Sequence, residues 1–269
     1  MSYKMVFSDM DGTLLEKGNE ISVENCRAIG RAVDKGVDFV LCTGRGVYGV
    51  EKFIDLLELN GKNGYVICQN GGAIYDLRDM KLIYRKGFSP VDFAPVAAAA
   101  AKLDLEVYYY DDCLFMADRV TDRLKRYAEI MHTDMTLLKD PLTYHGTFTK
   151  CMVSGENEKL LKLKAEVEPL VQDKMNLYFS AGVFLEFVEK TVDKGSALEE
   201  TAKKAGVALE DTIAIGDSDN DIPMLLRAGL GVAVANSWQH VKDAADYVTE
   251  KTCEESAVAE VIEKFILEQ

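Results

Sequence analysis

Two aspartates separated by one residue are the first groups in this chain that could do chemistry. Asp9 and Asp11 stand in the run Asp9-Met10-Asp11-Gly12-Thr13-Leu14, directly after the apolar stretch Met5-Val6-Phe7. Carboxylates at i and i+2 can converge once a chain leaves a strand, so that one attacks while the other moves protons. Gly12 allows the turn that this requires. The alternative is an Asx-type turn with both carboxylates solvated.

Three further groups have the same character. Thr43-Gly44-Arg45 follows an apolar run and offers a hydroxyl and a backbone N–H to phosphate oxygens, although strand–Thr–Gly is also an ordinary turn. Lys194-Gly195 stands where a helix begins. A lysine there brings a point charge to an anion, unless it is simply exposed. Gly216-Asp217-Ser218-Asp219-Asn220-Asp221 follows another apolar run. Carboxylates packed after a strand offer hard oxygen ligands for magnesium. The alternative is a set of solvated acids at a helix N-terminus.

The elements needed to position these groups are legible. In the first third, strands expected at 4–8, 37–42 and 65–68 alternate with helices at 23–35 and 47–57. Short apolar runs alternating with helices imply a parallel sheet covered on both faces. Residues 73–75 and 82–84 read as a hairpin about a polar turn.

The middle of the chain reads differently. Ser89-Pro90 opens a helix, strands follow at 106–110 and 113–116, and a helix spans 120–132. A strand at 148–153, a helix at 157–171 and strands at 176–180 and 184–188 complete it. This segment reads as α+β, an antiparallel sheet with helices on one face. Its longest expected loop is 138–147. Tyr108, Tyr109 and Tyr110 either line a pocket or alternate across a strand with one ring inward.

The first pattern then resumes, with helices at 194–205, 221–228 and 256–267 and strands at 212–215 and 232–234. The expected fold class is therefore α/β. A Rossmann-like parallel-sheet core is built from 1–84 and 190–269, and an α+β cap domain is inserted at 85–189.

Composition limits the partners. The formal net charge is −14. A negative surface repels nucleic-acid backbones, and any phosphate site must then supply its own local positive charge. The six cysteines come no closer than sixteen positions, so no paired-cysteine zinc or redox motif exists. Buried, reduced thiols are expected. His132, His145 and His240 share no motif and read as structural or surface residues. No apolar stretch reaches the ~18–20 residues that span a bilayer, and no secretory h-region is seen near the N-terminus. A cytoplasmic protein that binds neither membrane nor nucleic acid is the expectation.

In this order the four groups resemble the haloacid dehalogenase superfamily, and more narrowly its Cof-type sugar-phosphate phosphatases, whose large cap falls between the second and third motifs. DxDGTL and GDxxND carry the resemblance, which extends over essentially the whole chain. The run Gln69-Asn70-Gly71-Gly72-Ala73 also resembles that family's NGA-like segment. The resemblance implies that Asp9 is the nucleophile and a magnesium ligand. Asp11 would be the general acid and base, its backbone carbonyl also on the metal. Asp217 would be the third protein ligand, and Asp221 would support the metal shell. Met10 through its N–H, Thr43, Gly44, Lys194 and Asn220 would hold phosphate. It further implies Mg2+ as cofactor and an aspartyl-phosphate intermediate. The substrate would be a small phosphorylated metabolite, with hexose and pentose phosphates, flavin mononucleotide and pyridoxal phosphate as candidates. Two other readings remain: a phosphomutase that uses the same intermediate, and a non-catalytic phosphosugar sensor. The Asp9/Asp11 pair argues against the sensor, because binding alone needs neither a nucleophile nor an acid.

Overall fold

The computed structural model describes residues 3–111, 114–130, 133–180 and 183–268; Cys113 and His132 lie outside the described residues. The chain divides into two units. One comprises Met1–Gly44, Glu51–Tyr84 and Asp193–Gln269, the other Arg45–Val50 and Arg85–Val192. The inserted part thus ends at Val192 rather than at 189, and it also claims the short segment that follows Gly44.

The elements run β1 (Met5–Ser8), β2 (Leu15–Glu16), β3 (Glu20–Ile21), α1 (Val23–Asp34), β4 (Asp38–Cys42), α2 (Glu51–Leu56), β5 (Tyr65–Cys68), β6 (Ala73–Asp76) and β7 (Lys81–Arg85). Then come α3 (Pro90–Lys102), β8 (Glu106–Tyr110), β9 (Phe115–Ala117), α4 (Asp122–Ile130), β10 (Met135–Leu137), β11 (Lys150–Ser154), α5 (Asn157–Val171), β12 (Met175–Ser180) and β13 (Phe184–Glu189). The last part holds α6 (Lys194–Ala205), β14 (Thr212–Gly216), α7 (Ile222–Leu225), β15 (Leu230–Ala233), α8 (Gln239–Asp243), β16 (Tyr247–Val248) and α9 (Ala257–Ile262).

The first unit is built on a sheet in the order β16-β15-β14-β1-β4-β5-β6-β7. Every pair from β16 to β5 is parallel, and β6 turns antiparallel to β5. All four residues of β1 are buried. Met5 and Phe7 share a cluster with Ala197, Leu198, Met224 and Leu225 of α6 and α7. The opposing helices α1 and α9 pack on each other. Strands covered on both faces read as continuous apolar runs, which is why β1, β4 and β14 could be found in the sequence. Because β14, β1 and β4 are adjacent and parallel, the residues that follow them lie together along one edge of the sheet.

Several expected elements change on folding. The helix expected over 47–57 splits into a 3-10 turn (Val47–Gly49) and α2. The helix expected over 221–228 shortens at both ends to α7. The last helix passes into a π-helical turn (Glu263–Leu267). Phe148 does not begin β11 but pairs as an isolated bridge with Phe88. Within 138–147 a 3-10 turn (Pro141–Thr143) is capped by Asp140. Cys42, Cys68, Cys151 and Cys253 are buried free thiols, whereas Cys26 is half-buried.

The second unit holds a sheet in the order β10-β9-β8-β11-β13-β12, antiparallel except for the β10–β9 pair. Its helices do not lie on one face as expected. Residues of α3 and α5 pack with Tyr109, Cys151 and Phe187, while Leu124 and Ala128 of α4 pack with Tyr108, Tyr110 and Met152. Successive strand residues point to opposite faces, so both faces are covered. All three tyrosines are accordingly buried, which corrects the expectation of one inward ring.

Phe93 of α3 is the centre of the first of these cores. Its ring meets Phe187 at 5.3 Å, Phe88 at 5.8 Å and Tyr109 at 5.9 Å between centroids. Phe93→Ala should lower the unfolding free energy by about 3–5 kcal/mol in urea titrations. Val91→Ala, at a side chain exposed on the same helix, should stay within about 0.5 kcal/mol of the parent. Equal effects at the two positions would contradict this packing.

Candidate active site

Lys194 is the first residue of α6. Asp193 caps that helix by accepting the Ser196 N–H at 2.6 Å, and it also receives Arg227 Nη1 at 2.5 Å. The cap fixes where the helix starts and therefore where the lysine points. The side chain of Lys194 is fully buried. Its Nζ donates to Asp9 Oδ1 at 2.5 Å and to Asp221 Oδ1 at 2.6 Å. Burial alone would lower the lysine pKa, but the carboxylates of Asp221 and Asp9 outweigh it and hold the ammonium above the usual lysine range.

Asp9 directly follows β1, and its N–H extends the parallel ladder to Ile215 O at 2.9 Å. It is only 5% exposed. Burial raises its carboxyl well above the usual range; Lys194 opposes that rise, and the Asp221 and Asp217 carboxylates add to it. After Asp9 the chain turns sharply. The Met10 carbonyl accepts the N–H groups of Thr13, Leu14 and Leu15 at 3.3, 3.1 and 2.8 Å. Gly12 has φ +86°, and a Cβ there would stand 2.8 Å from Asp217 Oδ2. Both facts require glycine. Asp11 is exposed.

The acidic loop is organised around Asp221. One of its oxygens takes Lys194, and Oδ2 accepts the N–H groups of Asp217 and Ser218, both at 3.0 Å. The Asp221 side chain lies directly against Gly216, which leaves no room for a side chain there. The Asp217 oxygens accept from Thr13 Oγ1 at 2.9 Å and from Ser218 Oγ at 2.8 Å. Burial raises the Asp217 carboxyl, the charge of Asp221 adds to that, and these two hydroxyls oppose it.

Thr43 is buried after β4, its N–H on Ile67 O and its carbonyl accepting the Asn70 N–H, both at 2.9 Å. The side chain of Asn70 lies against Gly44 and accepts from Asn220 Nδ2 at 3.1 Å. The structure thus brings Asp9, Lys194, Asp217 and Asp221 into direct association. It places Asn220 and Gly44 on either side of Asn70. Asp11 and the side chain of Met10, exposed and buried respectively, stand outside the carboxylate cluster.

The cluster fits magnesium. Asp9, Asp217 and Asp221 each offer an oxygen, and these atoms lie within 4.8 Å of one another. All are hard donors. Three carboxylates against the single Lys194 ammonium leave an excess of negative charge that a divalent cation would offset.

Sequence reasoning assigned no role to Thr13, Asn70, Asp193, Ser218, Arg227 or Asn236. Thr13, Asn70 and Ser218 lie inside runs quoted above, whereas Asp193, Arg227 and Asn236 stand outside every one of those runs. Asn236 is in a side-chain hydrogen bond to the Gly12 carbonyl. His240, read as a surface residue, is exposed and hydrogen-bonds Asp219 in the acidic loop.

Known proteins resemble this chain over nearly its whole length. A family model of haloacid dehalogenase-like hydrolases matches residues 6–262. The 5-amino-6-(5-phospho-D-ribitylamino)uracil phosphatase of Bacillus subtilis is 31% identical over 98% of this chain and 98% of its own. The HMP-PP phosphatase of Yersinia enterocolitica is 28% identical over 98% of this chain and 96% of its own. A crystal structure of a haloacid dehalogenase-like hydrolase from Bacteroides thetaiotaomicron superposes with a TM-score of 0.90 at 31% identity, covering 98% of this chain and 100% of that one. The chain belongs to the haloacid dehalogenase-like hydrolases and is a phosphatase.

Proposed function

We propose that this phosphatase hydrolyses the phosphomonoester of a small metabolite, a sugar phosphate foremost, by way of a phosphorylated Asp9. The observation that carries the reading is the buried Lys194 shared by Asp9 and Asp221 beside Asp217. A carboxylate held against a buried cation at the end of a central strand suits attack on a phosphoryl group. The relative named for a phosphorylated ribityl compound supports a small polyhydroxy substrate.

In the first step the Asp9 carboxylate forms a bond to phosphorus as the bond to the leaving oxygen breaks, and Asp11 gives that oxygen a proton. In the second, Asp11 takes a proton from water, whose oxygen attacks phosphorus and releases Asp9 and inorganic phosphate. Lys194 offsets repulsion between the carboxylate and the phosphoryl oxygens. The N–H groups of Met10 and Gly44 and the Thr43 hydroxyl, with Asn220, hold those oxygens in line. Magnesium, held by Asp9, Asp217 and the Asp11 carbonyl with Asp221 in support, would supply further positive charge at the phosphoryl group.

Removal of the metal tests one half of this reading. EDTA should abolish phosphate release from p-nitrophenyl phosphate, and excess magnesium should restore it. Undiminished turnover in EDTA would refute the metal site.

The two motif carboxylates test the other half. Asp9→Asn should stop both steps. Asp11→Asn should lower turnover by about 10²–10⁴-fold, the usual range for acid–base groups. With p-nitrophenyl phosphate, whose leaving group needs almost no proton, Asp11→Asn should still become phosphorylated and then stall. Intact-mass measurement after acid quench should find one added phosphoryl group on Asp11→Asn and none on Asp9→Asn. Phosphorylation of Asp9→Asn to the level of Asp11→Asn would remove Asp9 from the role of nucleophile.

A further inference from the structure

The turn that carries Asp11 is held on its inner side by the Met10 carbonyl. On its outer side the contact comes from a distant part of the chain. Asn236, just beyond β15, donates from Nδ2 to the Gly12 carbonyl at 2.7 Å and accepts the Cys253 N–H on Oδ1 at 2.8 Å. One partner can only accept and the other can only donate, so the orientation of the amide is fixed by chemistry.

The loop that carries Asn236 is itself anchored. The Ala235 N–H donates to Lys251 O at 3.2 Å and Thr249 Oγ1 at 3.0 Å, and Ser237 donates to Val234 O at 2.9 Å through its N–H and to Gly216 O at 3.3 Å through Oγ. Asn236 therefore ties the Gly12 peptide to a fixed frame. Where the Asp11 side chain leaves the chain is set by the backbone of this turn, whose Gly12 carbonyl Asn236 holds.

We propose that Asn236 is a positioning residue for the phosphatase reaction, acting through the Gly12 carbonyl to hold Asp11 in line for proton transfer. This rests on the reading of Asp11 as acid and base. An error of about 1 Å in such a group can cost on the order of 10²-fold in rate.

Asn236→Asp isolates the contact. It has the same shape and keeps an oxygen for the Cys253 N–H, but it turns an acceptor toward the Gly12 carbonyl. Asn236→Ala removes both contacts. Each variant is assayed on phenyl phosphate, whose leaving group needs a proton, and on p-nitrophenyl phosphate, whose leaving group does not. We expect kcat/KM for phenyl phosphate to fall by about tenfold or more, while that for p-nitrophenyl phosphate stays within about twofold of the parent. Phosphoenzyme trapped by acid quench during turnover of p-nitrophenyl phosphate should rise above the parental level, as in Asp11→Asn.

A merely structural residue gives another pattern. Both activities then fall in equal proportion and phosphoenzyme stays at the parental level, which overturns the proposal, as do parental kinetics. If Asn236→Ala does not fold, Asn236→Asp carries the test, and failure of both to fold marks the position as structural and overturns the proposal too. Accumulation of phosphoenzyme in Asp11→Asn but not in the Asn236 variants rejects Asn236 alone. Its absence from Asp11→Asn rejects the acid–base reading and this proposal with it.

Discussion

A lysine ammonium buried without a counter-charge would cost far more than a small domain can spare. Lys194 is fully buried, and its charge is sustained by Asp9 and Asp221. That requirement draws together three segments that are remote in the chain: the end of β1, the start of α6 and the loop after β14. Buried ion pairs are weak evidence of stability, since apolar residues of similar size often serve as well. The retention of this one is better explained by chemistry, because a cation fixed between carboxylates is where an incoming anion would find compensation.

Much of the local structure follows from that constraint. Asp221 can accept Lys194 on one oxygen and two loop N–H groups on the other only if the chain between Gly216 and Asp221 folds back on itself. The return leaves no space for a side chain at Gly216. It also carries Asp217 against Gly12, where the close approach and the positive φ exclude any other residue. The two motifs are thus not separate attachments to a sheet edge. Gly12 is the clearance that Asp217 of the other motif needs, Gly216 is the clearance that Asp221 of its own loop needs, and the Thr13 hydroxyl on Asp217 closes the contact.

What the sequence made legible was whatever depends on a short stretch of chain. The residues after β1, β4 and β14 could be found because buried parallel strands are continuous apolar runs and ligands gather beyond their carboxyl ends. The bounds of α6 were legible in the run 194–205 closed by Gly206, whereas its Asp193–Ser196 cap was found only in the structure. The failures share the opposite cause. Whether the second face of a sheet is covered depends on which helix crosses it, so the burial of all three of Tyr108, Tyr109 and Tyr110 had no local sign. β10 and β16 are too short for a periodic pattern to stand out. Asn236 acts on backbone atoms of Gly12 and Cys253, and backbone partners leave no trace in residue types.

Asp9 and Asp11 show how one tight turn yields two kinds of carboxylate. Asp9 is enclosed, in contact with a buried cation, and its carboxyl is displaced upward by burial. Asp11, two residues on, is exposed. A nucleophile that becomes phosphorylated is best kept where water reaches it only under control. A group that must give up and regain a proton in every cycle is best kept where protons exchange with solvent. The proposed division of labour therefore follows from environment rather than from residue type, as it does wherever two like groups are driven apart by their surroundings. The Met10–Asp11 peptide, held through the Met10 carbonyl, and the Gly12 carbonyl just beyond Asp11 keep the two environments separate within so short a span.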